Sequence, residues 1–209
     1  MFGSVKEGDA GSFWHWFVKT APRIAADFES MQAGRITSES MLKGVGKKLR
    51  EYHPDLAFEI GKDGSVYDFV ISAEGMQVNI APVLNLVRAA PTIPNWKVTT
   101  FRKRMPLLDA VLQFGPSELD WSKVCFKLAP PHDGRCDLTI GFETGSLPAD
   151  LDLRSPGFLT ADIALGEYDV MTKIGNVDFT WIASAAEPSF SPITELAEQF
   201  DGYFPPVGN

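Results

Sequence analysis

The chain has 209 residues, 44% hydrophobic and 22% charged, the proportions of a globular protein able to bury a sizeable core. Its net charge is −8, which argues against nucleic acid and anionic membrane surfaces as partners, since phosphate needs a basic surface. The first dozen residues carry no apolar signal core, no run approaches the ~20 apolar residues needed to cross a bilayer, and a cytoplasmic location is the expectation.

Residues 1–11 hold three glycines and little to bury, so a loose N-terminus is expected. Ser12 is the expected N-cap of a helix running to about Met31. Phe13, Phe17, Ile24, Phe28 and Met31 share one face of it, with Trp14 at the edge of that stripe. His15 falls opposite the stripe and Trp16 on a flank, and Pro22 is expected to kink or split the helix. Thr37 or Ser38 opens a second helix to about Tyr52, with Leu42, Val45, Leu49 and Tyr52 inward, and His53-Pro54 stops it.

Strands follow. Residues 56–60 and 66–73, joined by the turn Gly61-Lys62-Asp63-Gly64-Ser65, read as a β-hairpin. Asn79 is the expected cap of a helix over 80–90 with Pro82 in its first turn, and 96–101 is a further strand. A connector over 105–121 holds one short helix near 107–113. Residues 124–129 and 136–143 form a second hairpin around Pro130-Pro131-His132-Asp133-Gly134-Arg135, with Phe126 and Leu128 facing Ile140 and Leu138. A helix from Phe158 to about Leu165 or beyond and a strand over 177–183 come next. Ser191-Pro192 is expected to start a last helix through Phe200, and 205–209 to be irregular.

The two hairpins echo each other. Phe58, Ile60, Phe69 and Ile71 align with Phe126, Leu128, Leu138 and Ile140, each pair of strands enclosing an Asp-Gly turn and each hairpin preceding a helix and a closing strand. The expected class is therefore α+β, with a largely antiparallel sheet built from two β-β-α-β-like halves behind an N-terminal helix pair. The expected layout is one domain over 1–209. It comprises the loose terminus (1–11), the helix pair (12–54), the first half (55–104), a connector (105–122), the second half (123–184) and a C-terminal helix and tail (185–209).

Chemical motifs are sparse. Cys125, His132 and Cys136 lack a fourth soft ligand, and the hairpin register holds the two thiols about five residues apart in level, so neither a metal site nor a disulfide is expected. There is no G-x-S-x-G elbow, and Gly44-Val45-Gly46-Lys47-Lys48 lies in a helical stripe without the hydroxyl of a phosphate loop. No cofactor is expected. Glu59 and Asp68 sit on adjacent arms of the first hairpin. Glu143, Asp162, Glu167 and Asp169 fall in the second half, where Leu165-Gly166-Glu167-Tyr168-Asp169-Val170 is the most motif-like run for paired carboxylates. Arg102-Lys103-Arg104, near Lys97, is a basic contrast in an acidic chain.

The FW-x-WF start (Phe13 to Phe17), Ala73-Glu74-Gly75, the helix ending Ala89-Ala90-Pro91, Trp96, Phe101 and Leu165-Gly166-Glu167 together resemble a group of small uncharacterised bacterial proteins. The resemblance spans roughly residues 12–183 and departs at Pro94-Asn95, where a simpler Asp-Gly turn stands in the group. It implies a bacterial cytoplasmic protein with a duplicated-looking fold and implies nothing about catalysis. The reading that follows is a non-enzymatic protein-interaction or immunity-type module with a protein partner or a homodimer. Trp16, Arg102, Arg104, Glu167 and Asp169 are its candidate contact residues. The alternative is a hydrolase or small-ligand-binding protein using carboxylates near Glu167 and Asp169.

Overall fold

The computed structural model describes residues 7–114 and 117–205. The fold is α+β, and the chain folds as two compact units, Met1–Phe101 and Arg102–Asn209. Of the terminus expected to be loose over 1–11, residues 1–6 lie outside the described residues, while Gly8 N–H donates to the Tyr52 carbonyl at 2.7 Å and a helix begins at Ala10. Of the tail expected to be irregular over 205–209, residues 206–209 lie outside the described residues.

The first unit opens with helices α1 (Ala10–Gln32) and α2 (Ser38–Tyr52). Asp9, not Ser12, caps α1: its carboxylate accepts from the backbone N–H of Gly11 at 3.3 Å and of Ser12 at 2.8 Å. The earlier start follows from a charged acceptor, which bonds the first-turn donors more strongly than a hydroxyl. Pro22 neither splits the helix nor ends it; its ring is exposed, and α1 is continuous through it. Thr37 caps α2, accepting from Ser40 N at 3.3 Å.

A three-stranded sheet follows, built from β1 (Ala57–Asp63), β2 (Val66–Ser72) and β3 (Trp96–Thr100) in the order β1-β2-β3. β1 and β2 are antiparallel; β3 joins β2 parallel after helix α3 (Ile80–Arg88) crosses over. The aromatic face of α1 packs on β2: the Phe17 ring lies 4.6 Å from Phe69 and 5.2 Å from Trp96. Trp14 is not at an edge. It is 2% exposed, and its indole N–H donates to the Leu86 carbonyl at 2.7 Å, satisfying its one polar atom inside the core. Asn79 sits at the start of α3 without capping it, because its amide donates to the carbonyls of Asp55 and Ala73 at 3.1 and 3.2 Å.

In the second unit, the expected helix near 107–113 is one 3-10 turn, Leu107–Asp109, followed by two-residue strands β4 (Gln113–Phe114) and β5 (Ser117–Glu118). Then come β6 (Val124–Leu128) and β7 (Cys136–Glu143), helices α4 (Arg154–Leu165) and α5 (Glu167–Lys173), and β8 (Ile174–Ile182). Ser191-Pro192 does not start the last helix; it is a two-residue strand, β9, paired with β6, and α6 (Leu196–Tyr203) begins after a further 3-10 turn. Proline tolerates this place because an edge needs no donor there. The sheet order is β8-β7-β6-β9, with β7–β8 parallel and the other pairs antiparallel.

Each unit thus runs from a hairpin through a helical crossover, one helix in the first and two in the second, to a closing strand, with a central strand antiparallel to its hairpin partner and parallel to the closing strand. The aligned residues occupy equivalent rungs: Phe58 faces Ile71 and Ile60 faces Phe69 in one, Phe126 faces Ile140 and Leu128 faces Leu138 in the other. The second hairpin closes on a turn with both central residues at positive φ (Asp133 51°, Gly134 78°), whose twist matches that of paired strands. Cys125 faces Gly141, five rungs from Cys136, and both thiols are buried and free.

Candidate functional site

Four of the five candidate contact residues gather in the second unit. Its opening segment runs beside the corner where α4 meets α5. Gly166 makes that corner at φ 87° and ψ 137°, a region open to glycine, and a Cβ there would lie 3.3 Å from the Arg104 backbone nitrogen. Three backbone bonds define the corner, two of them to the 102–105 segment. Met105 N–H donates to the Ile163 carbonyl at 3.0 Å, Glu167 N–H donates to the Arg102 carbonyl at 3.0 Å, and Gly166 N–H closes α4 on Asp162 at 2.8 Å.

The side chains are paired around this frame. Glu167 is fully buried and its carboxylate accepts the Arg102 N–H at 2.9 Å. The Arg102 guanidinium reaches the buried Asp162 carboxylate at 3.3 Å. Arg104 grips Asp201 with both ends of its fork, at 2.8 and 2.9 Å, and lies over the Phe200 ring. Asp169 pairs with Lys173 one helical turn later at 3.1 Å, and Lys173 also lies over the Phe200 and Phe204 rings. Bidentate geometry and ring stacking both suit arginine, which explains why Arg104 and not a lysine holds that place.

The other candidates lie elsewhere. Trp16 belongs to the first unit, half-buried, its ring 6.2 Å from Phe13 and 6.4 Å from Phe17. Asp68 holds Lys97 at 3.2 Å and the Thr99 hydroxyl at 2.6 Å, and Glu143 accepts the Ala185 N–H at 3.0 Å. His15 and His132 are exposed, whereas His53 is buried and accepts the Asp55 N–H at 3.3 Å. Burial pushes the Cys125 thiol up to about 11 and raises that of Cys136 as well. Among the described residues, no group of three or more His, Cys, Asp or Glu converges as metal ligands.

Sequence reasoning missed Asp201 and Phe200 as members of this cluster. The Arg104–Asp201 pair spans 97 positions, and no local pattern signals it.

Two open grooves adjoin these elements. One, of about 370 Å³, is lined by Arg104, Met105, Leu107, Leu108, Ala164 and Ala197 among others. Its rim is unusually apolar for a surface: Leu108 is 81% and Met105 44% exposed, and Val111 beyond it 65%. The other, of about 330 Å³, lies between α4 and β8, with Arg154, Phe158, Val177 and Phe179 in its walls. Neither of these two is lined by Glu167 or Asp169. None of the described helices is long and apolar enough to cross a membrane. No protein-family model, curated protein or solved structure matches the chain.

Proposed function

We propose that the chain is a non-enzymatic protein-interaction module, of the kind an immunity protein exemplifies, and that it docks a partner through the groove at Arg104 to Leu108. The observation that carries the reading is the pair of exposed apolar residues, Met105 and Leu108, that line that groove. An apolar surface of this kind is held open in water at a cost and is characteristic of recognition sites. The acids that suggested catalysis instead tie the frame together, Glu167 to the Arg102 backbone and Asp169 to Lys173. The alternative, a hydrolase or small-ligand-binding site at those carboxylates, finds no support in either groove.

The exposed Lys103, next in sequence to the lining residue Arg104, suits a partner segment that is apolar with an acidic flank. A cytoplasmic setting is supported by two free, buried thiols, which persist in a reducing compartment. The shared order of hairpin, helical crossover and closing strand, with matching rungs, supports descent of both halves from one duplicated unit.

The test is quantitative affinity capture with the intact chain and with Leu108→Asp, together with thermal melting. Leu108 is exposed, so its stability should stay within about 0.5 kcal/mol of the parent. A partner retained by the parent and lost by Leu108→Asp is the expected result. Identical capture by both proteins overturns the reading.

A further inference from the structure

Open sheet edges attract other strands. Among the described residues, the two larger sheets end in four outer strands, and three of these are guarded. β9 is two residues long and contains Pro192; β1 carries Glu59, Lys62 and Asp63; β3 is five residues long with Lys97 in it. Each is a known way of blunting an edge. β8 is different. It is nine residues long, ends the four-stranded sheet, contains no proline, and has Asp178 as its one charge.

The geometry of β8 says what fits it. Thr144 N–H donates to the Ile182 carbonyl, so Ile182 turns its backbone toward β7. By the alternation of a strand, Thr180 and Asp178 do the same, while Val177, Phe179 and Trp181 turn their N–H and C=O groups outward. The side chains of those three also share a face: they are partly buried against the core, and Phe179 meets Phe158 edge-on at 5.0 Å. Phe158 is 43% exposed, and the groove of about 330 Å³ opens beside Val177 and Phe179.

We propose that β8 is a homodimerisation edge, and that two copies of this chain pair their β8 strands antiparallel about a two-fold axis through Phe179. In that register Phe179 faces Phe179 of the second copy, and Val177 faces Trp181. Every outward N–H and C=O of the three residues finds a partner, and the aromatic and β-branched pairs are those that stabilise antiparallel strands. On the other face Asp178 lies opposite Thr180. Centring the axis one residue earlier sets Asp178 against its own copy, and like charges directly opposite each other repel. A second copy therefore fits β8 with the axis at Phe179 in preference to Asp178, and the fit does not involve the groove at Leu108.

The experiment is sedimentation velocity on the intact chain across the micromolar range, with circular dichroism to establish folding. The parent is expected to show a concentration-dependent monomer–dimer equilibrium. Thr180→Asp sets a carboxylate against Asp178 of the other copy and should weaken the dimer roughly 2- to 30-fold, because the axis repeats the contact twice. Thr180→Lys should tighten it by a similar factor, and adding Asp178→Lys to Thr180→Asp should restore it. Leu108→Asp should leave the equilibrium unchanged. A parent that stays monomeric throughout, or a dimer indifferent to both Thr180 substitutions, overturns the proposal. Should Thr180→Asp fail to fold, the parent and Thr180→Lys still decide the question.

Discussion

Gly166 is the position on which the second unit's frame most directly depends, and Gly166→Ala is the sharpest test of it. The substitution forces a Cβ into a backbone at φ 87°, ψ 137°, which costs about 1–3 kcal/mol for a residue other than glycine. It also brings that Cβ to 3.3 Å from the Arg104 backbone nitrogen, so either the 102–105 segment retreats or the corner opens. Either movement stretches the Glu167 N–H bond to the Arg102 carbonyl. At roughly 2–4 °C per kcal/mol for a chain of this size, melting should fall by about 2–12 °C. The control is Gly145→Ala, at the same φ of 87° but with no atom within 4 Å of its added Cβ. Urea unfolding followed by circular dichroism, with all three proteins side by side, separates backbone strain from crowding. Gly166→Ala should lose more stability than Gly145→Ala. If it loses less, or stays within about 0.5 kcal/mol of the parent, the close approach of Arg104 to this corner is not what holds the frame.

Two further outcomes are accessible to simple measurements. Trp14→Phe removes the donor that satisfies the Leu86 carbonyl and should cost about 1–3 kcal/mol in urea unfolding, more than the area of the lost ring alone explains. The Cys125 thiol, raised by burial from 9.0 to about 11, should react with a thiol reagent at pH 8 some 100-fold more slowly in the native chain than in denaturant. Because the native state holds this proton more tightly than the unfolded chain, its influence on stability is absent below pH 9. It becomes a progressive loss as pH rises from 9 through about 11, which unfolding at a series of alkaline pH values would register.

A parallel closing strand needs a crossover, and in each unit the crossover covers the sheet with helix. What remains outside is a strand edge and a connecting strap. In the second unit the strap carries the exposed Met105, Leu108 and Val111, and the edge strand β8 carries a single charge, Asp178.

Local pattern carried much of this fold. Two-residue alternation and an Asp-Gly turn were enough to set Phe126 against Ile140 and Leu128 against Leu138, since a slip of one rung would turn the apolar set to solvent. The same pattern separated the cysteines, and a stripe of large side chains marked the helix pair, although Thr37 is one of two cap candidates by sequence and Met41 is buried in α2 where the stripe predicts Leu42. Long-range partners decided the rest. Ser191-Pro192 reads as a helix start by its composition and becomes a strand because β6 offers it an edge. The run near 107–113 satisfies a helical pattern over too few residues for local bonds to repay ordering, and it settles into one 3-10 turn and a strand. Trp14 moved from the edge of a stripe to the core because a carbonyl on α3 could accept its proton. The sequence by itself determined which residues share a face and where the chain turns, because those depend on neighbours a few positions away. Only the tertiary structure decided that Glu167 is buried on the Arg102 backbone, that Arg104 is held by Asp201, and that β8 and the Leu108 strap are left uncovered. Each of those is settled by groups tens of residues apart competing for the same space and the same hydrogen bonds.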